Sequence, residues 1–162
     1  MKFAFISSIL LSLTSASYDG SVSVSSTKIR NAIHSGDLKK ANSYLCSNFS
    51  IAGKVLRGNG LGSKIGFPTA NIKIDDQWKI LPKNGVYVVD VLVKDQNFFG
   101  MLNLGFRPSL DDNSFAIEVH LFDFNSNIYH EKIKIEFLQR IRSEKKFENL
   151  DQLKSQLKID EF

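Results

Sequence analysis

Gly85-Val86-Tyr87-Val88-Val89-Asp90-Val91-Leu92-Val93, then Lys94-Asp95-Gln96-Asn97, then Phe98-Phe99-Gly100-Met101-Leu102-Asn103-Leu104-Gly105-Phe106 is the stretch that decides the fold. Two runs rich in β-branched and aromatic residues, which suit a pleated and half-buried surface, flank four polar residues with turn chemistry. The spacing predicts a hairpin, because a parallel pair needs a helical crossover and four residues leave no room for one.

Four more runs of the same kind occur at about 50–57, 69–74, 115–124 and 129–139. The short polar connection Asn125-Ser126-Asn127 lies between the last two, which predicts a second hairpin. Six such runs at this spacing are those of a mainly β, antiparallel barrel or sandwich. A helix is predicted after the strands, with Asn149 as N-cap, Gln152 in a capping-box position, and Leu150, Leu153 and Leu157 on one stripe that closes a side of the barrel. Ahead of the strands, residues 1–48 read as an arm distinct from a barrel domain at 49–162. In the arm, Thr27–His34 and Asp37–Leu45 read as short helices, with Ser25 or Ser26 and then Asp37 as N-caps and Gly36 as the break between them.

A chain of 162 residues has room for one ordinary core, and 43% hydrophobic against 23% charged residues is a globular balance rather than a disordered one. The net charge of +4 comes mostly from residues 1–49, which carry five Lys/Arg against two Asp/Glu; the rest carries sixteen against fifteen. No basic face for nucleic acid is expected. Cys46 is the only cysteine, so an intrachain disulfide and a thiolate zinc cluster are excluded, and its plainest reading is a small buried hydrophobe in a reducing cytoplasm. Lys2 followed by the apolar run Phe3 to Leu13 and by Ser15-Ala16-Ser17 imitates a secretory signal, yet it is too short to span a bilayer. Phe3-Ala4-Phe5-Ile6 also reads as a strand, and the expectation is a cytoplasmic protein without a membrane partner.

Three constellations carry chemistry. Gly58-Asn59-Gly60-Leu61-Gly62-Ser63-Lys64-Ile65-Gly66-Phe67-Pro68 is a glycine-dense loop that lets a ligand approach backbone N–H groups, so Gly58, Gly60, Gly62 and Lys64 can cradle phosphate oxygens; a mobile hairpin loop is the plain alternative. It matches neither the Walker A nor the G-x-G-x-x-G pattern. Beyond Pro68, Thr69 and Asn71 point to one face of a strand and offer a hydroxyl and a carbonyl oxygen, hard ligands suited to Mg2+ beside phosphates. In Ala116-Ile117-Glu118-Val119-His120-Leu121-Phe122-Asp123-Phe124, period-two alternation sets Glu118 and His120 opposite Ile117, Val119 and Leu121. Glu118 is then a carboxylate on a rigid strand, fit for a general base, though a strand Glu also serves as an ordinary solvent-facing residue. Arg140 to Phe147 is a surface charge run, or a lid in which Phe147 packs on a flat heterocycle while Arg142 and Lys145 meet phosphate or carbonyl groups.

With these residues in hand, the chain from Ser50 to about Asp160 resembles the riboflavin kinase (flavokinase) family. The marks are Gly53-Lys54-Val55 with Gly58, Gly66-Phe67-Pro68-Thr69-Ala70-Asn71, Leu81-Pro82 with Gly85-Val86-Tyr87, Asn103-Leu104-Gly105-Phe106-Arg107-Pro108, Glu118 to Phe124, and Arg142 to Phe147. The resemblance implies a six-stranded antiparallel Greek-key barrel with a C-terminal helix, using ATP and Mg2+, with Zn2+ or Mn2+ as alternatives, to convert riboflavin to FMN and ADP. It implies that Gly58 and Lys64 contact ATP together with His120, Leu121, Asp123 and Tyr129, that Thr69 and Asn71 hold the metal, that Glu118 is the base, and that Arg142, Lys145 and Phe147 contact the flavin.

Asp19-Gly20, Val24-Ser25-Ser26-Thr27-Lys28-Ile29-Arg30 and Gly36-Asp37-Leu38 are similar to the end of the FMN adenylyltransferase domain that precedes the kinase in bacterial bifunctional FAD synthetases. Adenylyl transfer in that family depends on an H-x-G-H-type motif, and His34, His120 and His130 are not so paired. The arm therefore reads as a remnant of a truncated or split bifunctional gene, with a separate adenylyltransferase polypeptide as a conceivable partner. The rival readings are a fragment of a bifunctional FAD synthetase, a non-catalytic flavin- or nucleotide-binding barrel, and a secreted protein.

Overall fold

The computed structural model describes residues 23–58, 60–76, 78–106 and 115–161, and the predicted strand, signal-like run and Asp19-Gly20 of the first 22 residues lie outside them. Two helices, α1 (Ser26–Ser35) and α2 (Leu38–Leu45), precede strand β1 (Ser50–Leu56), the one-turn helix α3 (Leu61–Lys64) and β2 (Ala70–Ile74). Then come β3 (Gly85–Val93), β4 (Gln96–Phe106), β5 (Phe115–Leu121), β6 (Lys132–Arg142) and helix α4 (Leu150–Asp160). The strands close a barrel in the order β1-β2-β5-β4-β3-β6, with antiparallel pairing throughout.

The β3–β4 hairpin is as expected but tighter. Val93 pairs with Gln96, so the loop is Lys94-Asp95 alone, both with positive φ (46° and 65°), the primed-turn geometry whose twist matches the flanking strands. The second expected hairpin does not exist. β5 pairs with β2 and β4, and β6 pairs with β3 and β1. The order β6-β3-β4-β5 is a Greek key, in which the fourth strand returns by a longer connection to lie beside the first. Polar Asn125-Ser126-Asn127 marks a turn without revealing that the chain crosses the barrel end. That return is pinned where His130 N–H donates to Val55 O (2.8 Å) and Val55 N–H donates to Glu131 O (3.0 Å), with Ile128 buried as a plug. For the same reason β5 stops at Leu121 and β6 starts at Lys132, later than the run at 129 suggests.

Alternation decides the core. Val89, Val91, Leu102, Leu104, Val119, Ile135 and Phe137 point inward and are fully buried, and the rings of Phe49 and Tyr87 lie 5.8 and 5.3 Å from that of Phe137. The arm joins the same core: Ala32, Ile33, Leu38 and Ala41 belong to one buried cluster with the barrel residues. Ser25 caps α1 and Asp37 caps α2, each accepting from the N–H three residues on (3.3 and 3.1 Å), while Gly36 takes the left-handed conformation (φ 80°) that ends α1. Asn42 fastens α2 to the barrel by donating to Phe137 O (2.9 Å) and accepting from Phe49 N–H (2.8 Å). Cys46 is exposed at the α2 C-cap with φ 53°, contrary to the buried position expected of it; the helix ends there without a glycine.

Near this junction Glu136 accepts from Lys134 (2.7 Å) and from Asn48 (3.1 Å), and these bonds, the Lys134 one foremost, lower its pKa. A carboxylate depressed in the folded state stabilises fully above the unfolded carboxylate range and loses that contribution as pH falls through the lower folded value. Glu136→Gln is therefore expected to lower stability near neutrality and to converge with the unsubstituted chain as pH falls below the ordinary glutamate range, so that its loss of stability on acidification is flatter. Denaturant midpoints measured as a function of pH check this.

Candidate active site

The β2–β5 register places Asn71 directly opposite Glu118, and the β4–β5 register places Asn103 on the other side of Glu118. With Leu56 opposite Asn71, Val86 opposite Asn103 and Arg142 opposite Val86, one rung of outward-facing residues runs around the outside of the barrel. Directly paired residues hold their Cβ atoms about 5 Å apart, so Asn71 and Glu118 are immediate neighbours on the outer face. Ile117, Val119 and Leu121 face the core, whereas Glu118 and His120 are half-buried on the outside, as alternation requires.

Thr69 lies one residue ahead of β2, on the segment that leaves the glycine-dense loop. His120 holds this segment: its Nδ1 is 2.7 Å from Pro68 O, and since a carbonyl only accepts, the proton is on Nδ1. The imidazole also meets Phe67 and Phe122 edge-on, with centroids 5.3 and 5.8 Å away. His120 thus ties the strand of Glu118 to the residue before Thr69. In the loop, Gly58 lies so close to the Asn71 amide that an added Cβ would displace that side chain. Gly62 passes as closely to Phe67 O and lies near Thr69 Oγ1, and Lys64 closes α3 with an exposed side chain. Gly60 adopts φ 69° as the residue before α3. The one-turn helix itself is not signalled by the sequence, since glycine is a poor helix former.

Asp123 (φ 52°) and Tyr129, both exposed, lie on the return between β5 and β6, at the barrel end from which the glycine-dense loop leaves. Leu121, also expected at the nucleotide, ends β5 there with its side chain in the main core, 6% exposed. The residues expected at the flavin lie toward the opposite end, around one ring. Arg142 and Lys145 stand 6.0 and 5.7 Å from the centre of Phe147. Arg142 is already engaged, donating from Nε (2.9 and 3.0 Å) and Nη2 (2.6 Å) to the buried Asp160 carboxylate at the end of α4.

That pair, with Leu153 and Leu157, docks α4 on the outer cluster of Ile65, Phe67, Val86 and Met101; Leu150 is 44% exposed and does not share the stripe predicted for it. Helix α4 therefore covers an outer flank of the barrel and touches the glycine-dense loop through Ile65 and Phe67. Asp160→Ala is expected to weaken this docking by about 1.5–3 kcal/mol, the range for hydrogen bonds to charged groups. Hydrogen exchange should quicken across 150–160 while the inner strands keep their protection.

Sequence reading misses Asn103, although a polar residue between the buried Leu102 and Leu104 carries the signal, and it misses Asp160, whose partner is eighteen residues away. Two concavities among the described residues lie elsewhere, one at the barrel mouth lined by Ile72, Leu81 and Ile117, the other beside α1 and α2. The site is an outer face rather than a hole through the barrel.

A sequence profile described as Flavokinase, riboflavin kinase, matches residues 45–161. The bifunctional riboflavin kinase/FMN adenylyltransferase of Haemophilus influenzae is 44% identical over 85% of this chain and 44% of its own length. That of Bacillus subtilis is 40% identical over the same shares. A crystal structure of a macrolide-efflux protein from Streptococcus pneumoniae superposes with a TM-score of 0.79 at 42% identity, covering 85% of this chain and 45% of that one. A barrel with a polar rung on its outer face is the class the fold defines, and the chain belongs to the riboflavin kinase family. It spans less than half the length of the curated relatives it matches.

Proposed function

We propose that this chain transfers the γ-phosphoryl group of ATP to the terminal ribityl hydroxyl of riboflavin, giving FMN and ADP. The observation that carries this reading, beside family membership, is the direct pairing of Asn71 with Glu118, with Gly58 of the loop against the Asn71 amide. Glu118 takes the proton of the attacking hydroxyl, which a carboxylate on a rigid strand within reach of the substrate can do. Backbone N–H groups of the loop with Lys64 hold phosphate oxygens, and the Asp123–Tyr129 return flanks the nucleotide. Since phosphoryl transfer asks mostly for positioning and charge stabilisation, few other groups are required.

The donors near Asn71 suit a hard cation. Thr69 and Asn71 supply neutral oxygens, and among the described residues no cluster of three or more His, Cys, Asp or Glu exists. Mg2+, which keeps several waters and shares the phosphates, fits this set, with Mn2+ next; Zn2+ favours imidazole and thiolate ligands that the set lacks. When bound with ATP, such an ion offsets charge on the β- and γ-phosphate oxygens. Asn71→Ala is expected to raise the Mg2+ concentration needed for half-maximal turnover about tenfold while leaving the fold intact, a shift read from a metal titration of the rate.

The need for ATP supports a cytoplasmic location; among the described residues no helix is long and apolar enough to cross a membrane. The test is incubation of the purified chain with riboflavin, ATP and Mg2+, followed by chromatography of the flavins. FMN without FAD is the expected product. Binding of both substrates without FMN would leave a non-catalytic barrel, and FAD would add adenylyl transfer to the activity.

A further inference from the structure

We propose that Glu144 reads the hydroxyl groups of the ribityl chain and so selects a polyol-bearing flavin, an assignment that rests on the kinase reading above. The Glu144 carboxylate lies against the outer face of Gly105, in the space that a Cβ there would occupy. Gly105 pairs with Ala116, on the rung next to Asn103 and Glu118. Both are small and outward-facing, yet Ala116 is only 9% exposed, so this rung is a covered floor rather than open surface.

The direction along β5 matters. Along β5, His120 stands on the side of Glu118 that leads to Pro68 and the glycine-dense loop, and Ala116 on the other side, beside Gly105, where Glu144 leads the chain on to Lys145 and Phe147. Two residues along a strand span about 7 Å, which an extended ribityl chain covers between a terminal hydroxyl at Glu118 and its ring nitrogen. A substrate whose terminal hydroxyl meets Glu118 and whose ring reaches Phe147 therefore lays its middle hydroxyls across the Gly105–Ala116 rung.

Among the described residues Glu144 makes no hydrogen bond or ion pair, so its acceptor capacity is unspent. A carboxylate accepts readily from alcohols, each O–H···O− bond being charge-assisted. It suits the flavin imide poorly, because the two carbonyls beside that N–H repel it. The partner of Glu144 is accordingly the polyol and not the ring.

The full chain is tested with riboflavin and with a flavin whose N10 chain is hydroxypentyl, keeping the terminal hydroxyl and none of the others. KM and kcat come from product chromatography, and affinity comes independently from quenching of flavin fluorescence. Glu144→Ala is expected to raise the riboflavin KM and dissociation constant about tenfold or more, the loss of a hydrogen bond to a charged group, and to leave those of the hydroxypentyl flavin within about twofold. Glu144→Gln should fall between. Gly105→Ala displaces only the flexible end of Glu144 and should repeat the pattern. An equal change for both flavins, or none for riboflavin, overturns the assignment. So does a wild-type chain with the same KM for both flavins, and that result leaves the kinase reading standing. A wild-type chain that phosphorylates neither flavin overturns both.

Discussion

Glu118→Gln is expected to keep the barrel, its thermal midpoint and its affinity for ATP while losing kcat on the order of a hundredfold to ten-thousandfold, the usual worth of a positioned proton acceptor. The substitution is isosteric and sits on the outer face, so the inward neighbours Ile117 and Val119 keep their packing. Glutamine still bonds to neighbours but cannot take the proton of the attacking hydroxyl. Circular dichroism, ATP titration and single-turnover FMN formation separate these effects. Near-normal turnover in this variant would remove Glu118 from the proton-accepting role.

The largest stability effect is expected at Phe137. This ring is completely buried, packs edge-on against Tyr87 and tilted against Phe49, and its backbone receives Asn42 from α2 and donates to Phe49 O. Phe137→Ala removes a side chain touched from both the barrel and the segment that joins the arm to it, so the cavity has little chance to collapse. A loss of about 3–5 kcal/mol is expected, a large part of the stability of a domain this size. Chemical denaturation checks the magnitude. If the arm were a separate body, exchange protection of α1 and α2 would survive this substitution; in one shared core it falls with that of the barrel.

The inner half of the fold was legible because alternation is a local signal. Val89, Val91, Leu102, Leu104 and Val119 declare their face within the strand to which they belong. The capping residues Ser25, Asp37 and Asn149 were legible for the same reason, since each acts on an N–H three residues away. Strand order was not. The neighbour of β6 is decided by a crossing over the barrel end, and Asn125-Ser126-Asn127 looks alike whether the chain turns back or travels on. Thr69, Asn71 and Glu118 were proposed as site residues from residue type and family resemblance, whereas the pairing of Asn71 with Glu118 is a matter of register between strands far apart in the chain. Asp160 and Glu144 escaped because their significance depends on where α4 and the segment before it fold back.

Because the chemistry is proposed on the outside of a closed barrel, the filling of that barrel and the performance of the site are separable design variables. The interior residues could be exchanged together for others of matching total volume, as tolerant cores allow, without moving a single polar group of the rung. Insertion of one residue within β2 or β5 is the opposite case: it would turn Asn71 or Glu118 toward the interior and erase the site even in a chain that still folded. Composition inside the barrel is thus free to vary, while spacing along its strands is strict.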